Sequence, residues 1–243
     1  MKRAFEIIWE DEYLLLLNKN AGVLSIPDRY HDDKENLYSL LVKYKGSIFP
    51  LHRLDKDTSG IMIYAKDEET HKKLSEQFEN REIYKEYLAI LTRTPFERKG
   101  KIETHLVASQ SSKDMMVVSK KGKLAITEYE VLEEFKEYSL ARVILHTGRQ
   151  HQIRVHMAHI GNPLAIDKKY GLKTEIYASD IKTKKFHQNK NKIAKPLMSR
   201  HSLHAYKLGF THPVTQEKME FEAVPPKDFR ATLNQLRRWT SIK

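Results

Sequence analysis

The 243-residue chain contains no cysteine, so disulfides, thiolate metal sites and cysteine nucleophiles are excluded at the outset. Glycine and proline are sparse, at nine and eight residues, and no low-complexity linker or internal repeat divides the chain. Neither a Gly-x-Gly-x-x-Gly nor a Walker-type loop is present, which argues against a dinucleotide-binding or P-loop fold. No apolar run approaches the roughly 18 residues of a membrane span. Met1-Lys2-Arg3 is followed at once by Glu6, Glu10, Asp11 and Glu12, unlike a signal peptide. The expectation is a chain of the reducing cytoplasm that enters no membrane.

Positive charge is what the sequence has in excess. Lys and Arg number 43 against 32 Asp and Glu, a net charge of +11, while 40% of residues are hydrophobic. That apolar content, with runs at Tyr13–Leu17, Ile61–Ala65 and Leu140–Leu145, is enough for a folded core and excludes a disordered chain. More than half of the net charge lies between Leu172 and His204, in Lys173, Lys182, Lys184, Lys185, Lys190, Lys192, Lys195 and Arg200 against Glu175 and Asp180. Residues 172–200 read as a basic loop, which either solubilises the chain or meets a polyanion.

The apolar pattern alternates between two periods. Tyr13–Asn18, Ile61–Ala65, Tyr84–Leu91, Ile126–Leu132 and Leu140–His146 read as strands. Leu37, Leu40, Leu41 and Tyr44 fall on one helical face before Gly46, and Asp67 caps a second helix whose inner face includes Leu74 and Phe78. Tyr206–Phe210 and Met219–Ala223 flank a His212-Pro213-Val214-Thr215 turn, and Phe229, Leu233 and Leu236 mark a closing helix. Strands joined partly by hairpins predict an α+β fold with a mainly antiparallel mixed sheet flanked by helices and loops.

Two polar stretches carry the chemistry. His52-Arg53-Leu54-Asp55-Lys56-Asp57-Thr58-Ser59-Gly60 is a turn-prone loop running into an apolar strand, a place where functional groups sit on a rigid support. Alone, each of its aspartates is read first as an Asx-turn or a local ion pair, and the stretch gains a functional reading only with its partners. Thr147-Gly148-Arg149-Gln150-His151-Gln152-Ile153-Arg154-Val155-His156 reads as a capping box, Thr147 with Gln150, opening a helix with an Ile153/Met157/Ile160 stripe and a stop at Gly161 and Pro163. Its amides, with Arg149 and Arg154, would attract phosphate or carboxylate, whereas a surface helix with locally paired arginines is the plainer account. His146, His151, His156 and His159 lack the Glu-bearing spacing of a zinc protease, so no metal site is assigned. Ser25 and Ser59 lack a nucleophile elbow.

Together these stretches resemble the two signature blocks of the RluA-type RNA pseudouridine synthases: His52-Arg53-Leu54-Asp55-x-x-Thr58-Ser59-Gly60 and Gly148-Arg149-x-His151-Gln152-Ile153-Arg154-x-His156. The likeness runs from Ile7 through Asn18-Lys19-x-x-Gly22 and Lys85-x-Tyr87-x-Ala89 to His204, Thr211-His212-Pro213 and Phe221. Within the family it is strongest to the RluA-type isomerases of rRNA and tRNA. The resemblance implies one catalytic domain over residues 1–243, acting on 23S rRNA, tRNA or both without cofactor. Many relatives carry an N-terminal S4 domain, but the few residues before the first strand here leave no S4 domain expected, and a monomer is expected. The resemblance also implies Asp55 as the catalytic carboxylate, Tyr87 against the target uracil and Arg154 paired with Asp55. His52, Arg53, Leu54, Thr58, Arg149, His151, Gln152, Ile153 and His156 are the implied substrate-binding residues. Two departures concern loop geometry: Lys19-Asn20 stands where the family commonly has Lys-Pro, and Ile166-Asp167 where it has Gly-Asp. A non-catalytic RNA-binding protein of the same fold is the competing expectation.

Overall fold

In a computed structural model, residues 4–28, 34–112, 114–182 and 195–242 are described. In chain order the elements are β1 (Phe5–Glu10), β2 (Leu14–Lys19), α1 (Leu37–Lys45), β3 (Phe49–Pro50), β4 (Ser59–Ala65) and α2 (Glu68–Glu79). Then follow β5 (Tyr84–Thr92), β6 (Lys99–Ala108), β7 (Met116–Val118), β8 (Lys123–Glu134), β9 (Tyr138–Leu145) and α3 (Gln152–His159). The chain closes with α4 (Ala178–Ile181), β10 (Leu203–Thr211), β11 (Lys218–Glu222) and α5 (Lys227–Trp239). The fold is α+β; β1/β2, β2/β4, β3/β4, β6/β7, β6/β8, β8/β9 and β10/β11 pair antiparallel, and β4/β10 pair parallel. Two compact units are formed, Met1–Tyr87 with His204–Pro225 and Leu88–Leu203 with Pro226–Lys243.

In the first unit β2 lies between β1 and β4, and β10 runs along the other edge of β4. A strand with neighbours on both edges and packing on both faces needs a continuous apolar run, and Leu14–Leu17 and Ile61–Ala65 supply it. Burying each of those leucines contributes roughly 1.5–3 kcal/mol. Asn36 caps α1 by accepting from the Ser39 amide at 2.9 Å, and Gly46, at φ 78°, ends it. Asp67 caps α2 through the Thr70 amide at 2.8 Å, with Glu68 and Glu69 complementing the helix dipole in the first turn. Gly60 stands at φ 127° with the Ala205 backbone so close that an added Cβ would lie 2.2 Å from its carbonyl oxygen, so β4 and β10 approach there without room for a side chain.

The second unit has strands in the order β5-β9-β8-β6-β7, with β9/β8, β8/β6 and β6/β7 antiparallel and β5 contributing its C-terminal half. Ile90, Phe135, Leu140, Ile166, Ile176, Met198, Phe229 and Leu236 belong to its main core cluster, where β9 and the closing helix α5 meet. The strand readings at Tyr13, Ile61, Tyr84, Ile126 and Leu140 and the helix readings at Leu37, Asp67 and Phe229 match elements of the structure. β1, β6 and β7 escaped the sequence. In β6 only Ile102 and Leu106 of ten residues are fully buried, so its apolar signal recurs every four residues rather than every two.

The segment read as a basic loop is only partly a loop. Ile176, Ile181 and Met198 anchor it in the core, Lys173 donates to the Tyr138 hydroxyl at 3.0 Å, and Arg200 forms a bidentate pair with Asp228. Lys184, Lys185, Lys190 and Lys192 lie outside the described residues. Among the described residues no helix is long and apolar enough to cross a membrane.

Candidate active site

The Asp55 loop, in the first unit, is gripped through its main chain. The Ser25 hydroxyl donates to the Leu54 carbonyl at 2.8 Å and accepts from the Leu54 amide at 3.1 Å. One residue beyond Asp55, the Lys56 carbonyl accepts from the Gly22 amide at 2.8 Å and from Lys19 Nζ at 3.1 Å. Lys19 is completely buried, and its ammonium also donates to the carbonyls of Asn20 and Val23. The Asp55 carbonyl accepts from the Thr58 amide, closing a turn with the aspartate at its first position. Asp55 itself is half-buried, Arg53 is exposed and Leu54 is buried. The buried Thr58 hydroxyl has no partner among the described residues.

Behind this loop the unit is apolar and aromatic. The His52 ring stacks on Phe78 at 5.5 Å, and Lys85 Nζ lies 5.5 Å from the centre of the Phe78 ring. Burial, assisted by the Lys85 charge, lowers the His52 pKa to about 3, so the imidazole is neutral and accepts from the Ile63 amide through Nε2. Tyr87, on β5, is buried, and desolvation together with the negative charge of Asp55 pushes its phenol well above the usual range. At neutral pH Tyr87 therefore keeps its proton. Ser59 is locked by His204: Nε2 faces the Ala223 carbonyl at 2.8 Å and so carries the proton, leaving Nδ1 to accept from the Ser59 hydroxyl at 2.9 Å.

The second signature block, in the second unit, is held through its side chains. The helix starts at Gln152 rather than at Thr147, and no Thr147–Gln150 capping box forms. Thr147 instead accepts from the Ile126 amide and donates to Gln152 Oε1 at 2.7 Å. Gln152 also accepts from the Arg149 amide and donates to the Ile126 carbonyl and Thr127 hydroxyl, which fully satisfies its amide. The turn between Thr147 and the helix passes through His151 at φ 55°, a left-handed residue whose Nδ1 meets the Tyr170 hydroxyl at 2.9 Å. A competing hydrogen-bond partner five residues along thus displaced the cap. The proposed Ile153/Met157/Ile160 stripe is also wider in fact, because every residue from Gln152 to Met157 is buried.

Arg154 is 3% exposed and makes a bidentate pair with Asp167, Nε to Oδ2 at 2.6 Å and Nη2 to Oδ1 at 2.8 Å. Its guanidinium also lies over the Tyr170 ring at 5.0 Å. The amides of Lys169 and Tyr170 donate to Asp167 as well. Burial works against the charge of Asp167, but hydrogen bonding and attraction from Arg154 outweigh it and hold the carboxyl below its ordinary range. Both ring nitrogens of the buried His156 meet threonine hydroxyls, Thr127 and Thr104, each at 2.9 Å. Burial, and secondarily the His159 charge, lower its pKa to about 4.

Within the first unit Asp55 is thus tied to Thr58 and acts on Tyr87, while His52 faces Phe78 and Ile63; within the second, Gln152, Ile153, Arg154 and His156 share one helix. Gln152, Ile153 and His156 are buried, the two polar ones among internal partners, while Arg149 and His151 are only half-buried. Sequence reasoning missed Asp167 as the partner of Arg154. The signal was there in the Ile166-Asp167 dipeptide, but a carboxylate thirteen residues from its arginine reads as one acid among many. It also missed the Lys19 grip, because a buried ammonium bound to three carbonyls has no periodic signature.

Residues 13–159 match the family model described as RNA pseudouridylate synthase. The ribosomal large subunit pseudouridine synthase D of Pseudomonas aeruginosa is 37% identical over 96% of this chain and 72% of its own length. An uncharacterized RNA pseudouridine synthase of Bacillus subtilis, YlyB, is 34% identical over 96% of the chain and 73% of its length. Among solved structures, human RNA pseudouridylate synthase domain containing 4 superposes with a TM-score of 0.74 at 24% identity, covering 95% of this chain and 92% of that one.

Proposed function

The chain belongs to the RNA pseudouridylate synthase family, and from that premise we propose that Asp55 is the carboxylate that carries its uridine isomerisation, with Tyr87 as the face on which the detached uracil lies and Arg154 as the cation of the reaction. The observation that carries this reading is the pairing of an aspartate on a main-chain-clamped loop with a buried tyrosine that feels its charge. The reaction breaks the N1–C1′ glycosidic bond, turns the base and joins C5 to C1′. The C5 hydrogen leaves as a proton, N1 gains one, and no electrons are lost or gained. An ionised Asp55 suits either attack on C1′ or removal of a ribose proton, and the clamp grips the loop through its main-chain amides and carbonyls. Tyr87, buried and protonated, offers an apolar ring face and a hydroxyl able to donate but not to act as a base near neutrality. Arg154, fixed bidentately by Asp167, is always charged and does not need to reorganise as charge develops.

The substrate in this reading is ribosomal large-subunit RNA, as the name of the Pseudomonas relative suggests, with tRNA as the alternative acceptor. The target uridine must leave its stack, which is least costly in a loop or bulge. An rRNA substrate implies the cytoplasm, where ribosomes are assembled. The experiment is tritium release from RNA labelled at uridine C5, with 23S rRNA transcripts and total tRNA as substrates. Release from rRNA by the wild type and none by Asp55→Asn is the expected result. Wild-type turnover in Asp55→Asn would remove the assignment, and release from tRNA alone would change the substrate.

A further inference from the structure

The chain has two tryptophans, and they are used differently. Trp9, in the first unit, packs against Phe221 with ring centres 5.2 Å apart and meets His212 edge-on. Trp239, at the end of α5 in the second unit, is 42% exposed. Two cations attend its indole, Lys182 Nζ at 5.5 Å and the Arg238 guanidinium at 5.1 Å from the ring centre. An exposed indole between two cations leaves apolar area in water that packing elsewhere would remove.

The helix leading to it is strongly two-faced. Phe229, Thr232, Leu233 and Leu236 are buried, whereas Arg230, Asn234 and Arg238 follow at four-residue spacing along an exposed ridge. The only acid of α5, Asp228, is taken bidentately by Arg200, and Arg237 is taken bidentately by Glu133. Arg230 and Arg238 have no carboxylate partner among the described residues. Favourable interaction with the helix dipole accounts for cations in the last turn, but not for Arg230 about two turns earlier, nor for an exposed tryptophan beside them. A row of uncompensated guanidiniums ending in an aromatic plane matches a polyanion with flat bases, phosphates for the former and an unstacked base for the latter.

We propose that the Arg230–Asn234–Arg238 ridge, Trp239 and Lys182 form an RNA-contact surface, with the guanidiniums on backbone phosphates and the indole against an unpaired base. The proposal rests on RNA being the substrate and adds a grip of its own, on α5, for RNA other than the target uridine. Such contacts add affinity and carry little sequence information.

Trp239 supplies the test. In Trp9→Phe protein only Trp239 emits, and titration with a 23S rRNA transcript should quench that emission along the binding curve measured independently by anisotropy of labelled RNA. Should Trp9→Phe fold poorly, the difference between wild type and Trp239→Phe reports the same signal. The Arg230→Gln/Arg238→Gln double variant should bind about tenfold more weakly and lower the slope of log affinity against log salt by about two. RNA binding with silent Trp239 emission, or a double variant with wild-type affinity and salt slope, overturns the surface alone. Absence of RNA binding altogether, with no tritium release, overturns the functional reading and the surface with it.

Discussion

The Asp55 loop and the Thr147–His159 stretch are both dense in polar residues, yet they are built in opposite ways. The first is held through its main chain: Ser25 brackets Leu54, and Gly22 and Lys19 take the Lys56 carbonyl. The second is held through its side chains, with Gln152, Thr147, Thr127 and His156 bonded in one internal network and Arg154 bonded to Asp167 in a separate buried pair. A loop fixed by its backbone can spend its side chains on a ligand. A helix whose polar side chains are its internal scaffold can spare few: Gln152, Arg154 and His156 are buried, whereas Arg149 and His151 before it are half-buried and Gln150 and His159 are exposed.

This contrast can be broken most forcefully at Asp55. Asp55→Asn should lower isomerisation by at least about a thousandfold, the scale of a lost nucleophile or base, while leaving the thermal midpoint unchanged. Tritium release and calorimetry on one preparation check both halves. Asp167→Asn should act on the fold as well as on turnover, destabilising it by about 3–5 kcal/mol in urea unfolding, because it removes the bidentate carboxylate from the buried Arg154 guanidinium. Lys19→Met removes donors from three carbonyls and should cost about 2–3 kcal/mol, with a loss of turnover larger than that of a distant variant of equal stability. Gln152→Ala, which orphans Thr147 and Thr127 contacts, should cost about 1–3 kcal/mol in the same assay.

The smallest effect is in pH. His156 and His52 both have folded pKa values below the ordinary 6.5, about 4 and about 3. Between those values and 6.5 the unfolded chain binds more protons than the folded one, so stability falls as pH drops below about 6.5. Urea midpoints from pH 7 to pH 4.5 should decline, and the decline should be shallower in His52→Gln, which keeps a hydrogen-bond acceptor but does not titrate.

The sequence was most legible where one physical rule acts alone. The four leucines of β2, a short run with no helical spacing, suit a strand buried on both faces, Asp67 before Glu68 and Glu69 favours a helix start, and Phe229, Leu233 and Leu236 repeat with the helical period. It was least legible where two rules compete. Thr147 had a capping partner three residues on and a hydrogen-bonding partner five residues on, and the second prevailed because it also satisfies the Ile126 amide from a neighbouring strand. Strand β6 was hidden because its exposed residues outnumber its buried ones.

Sequence alone determined the absence of cysteine chemistry, the excess of positive charge, the α+β class and the family, together with Asp55, Tyr87 and Arg154 as residues of interest. These depend on composition, local period and ordered motifs, all of which are linear properties of the chain. Tertiary structure decided that Arg154 is bound by Asp167, that a buried Lys19 clamps the carbonyl next to Asp55, and that Trp239 stands outside between two cations. Those are matters of which distant groups must satisfy one another once water is excluded, and folding sets that pairing.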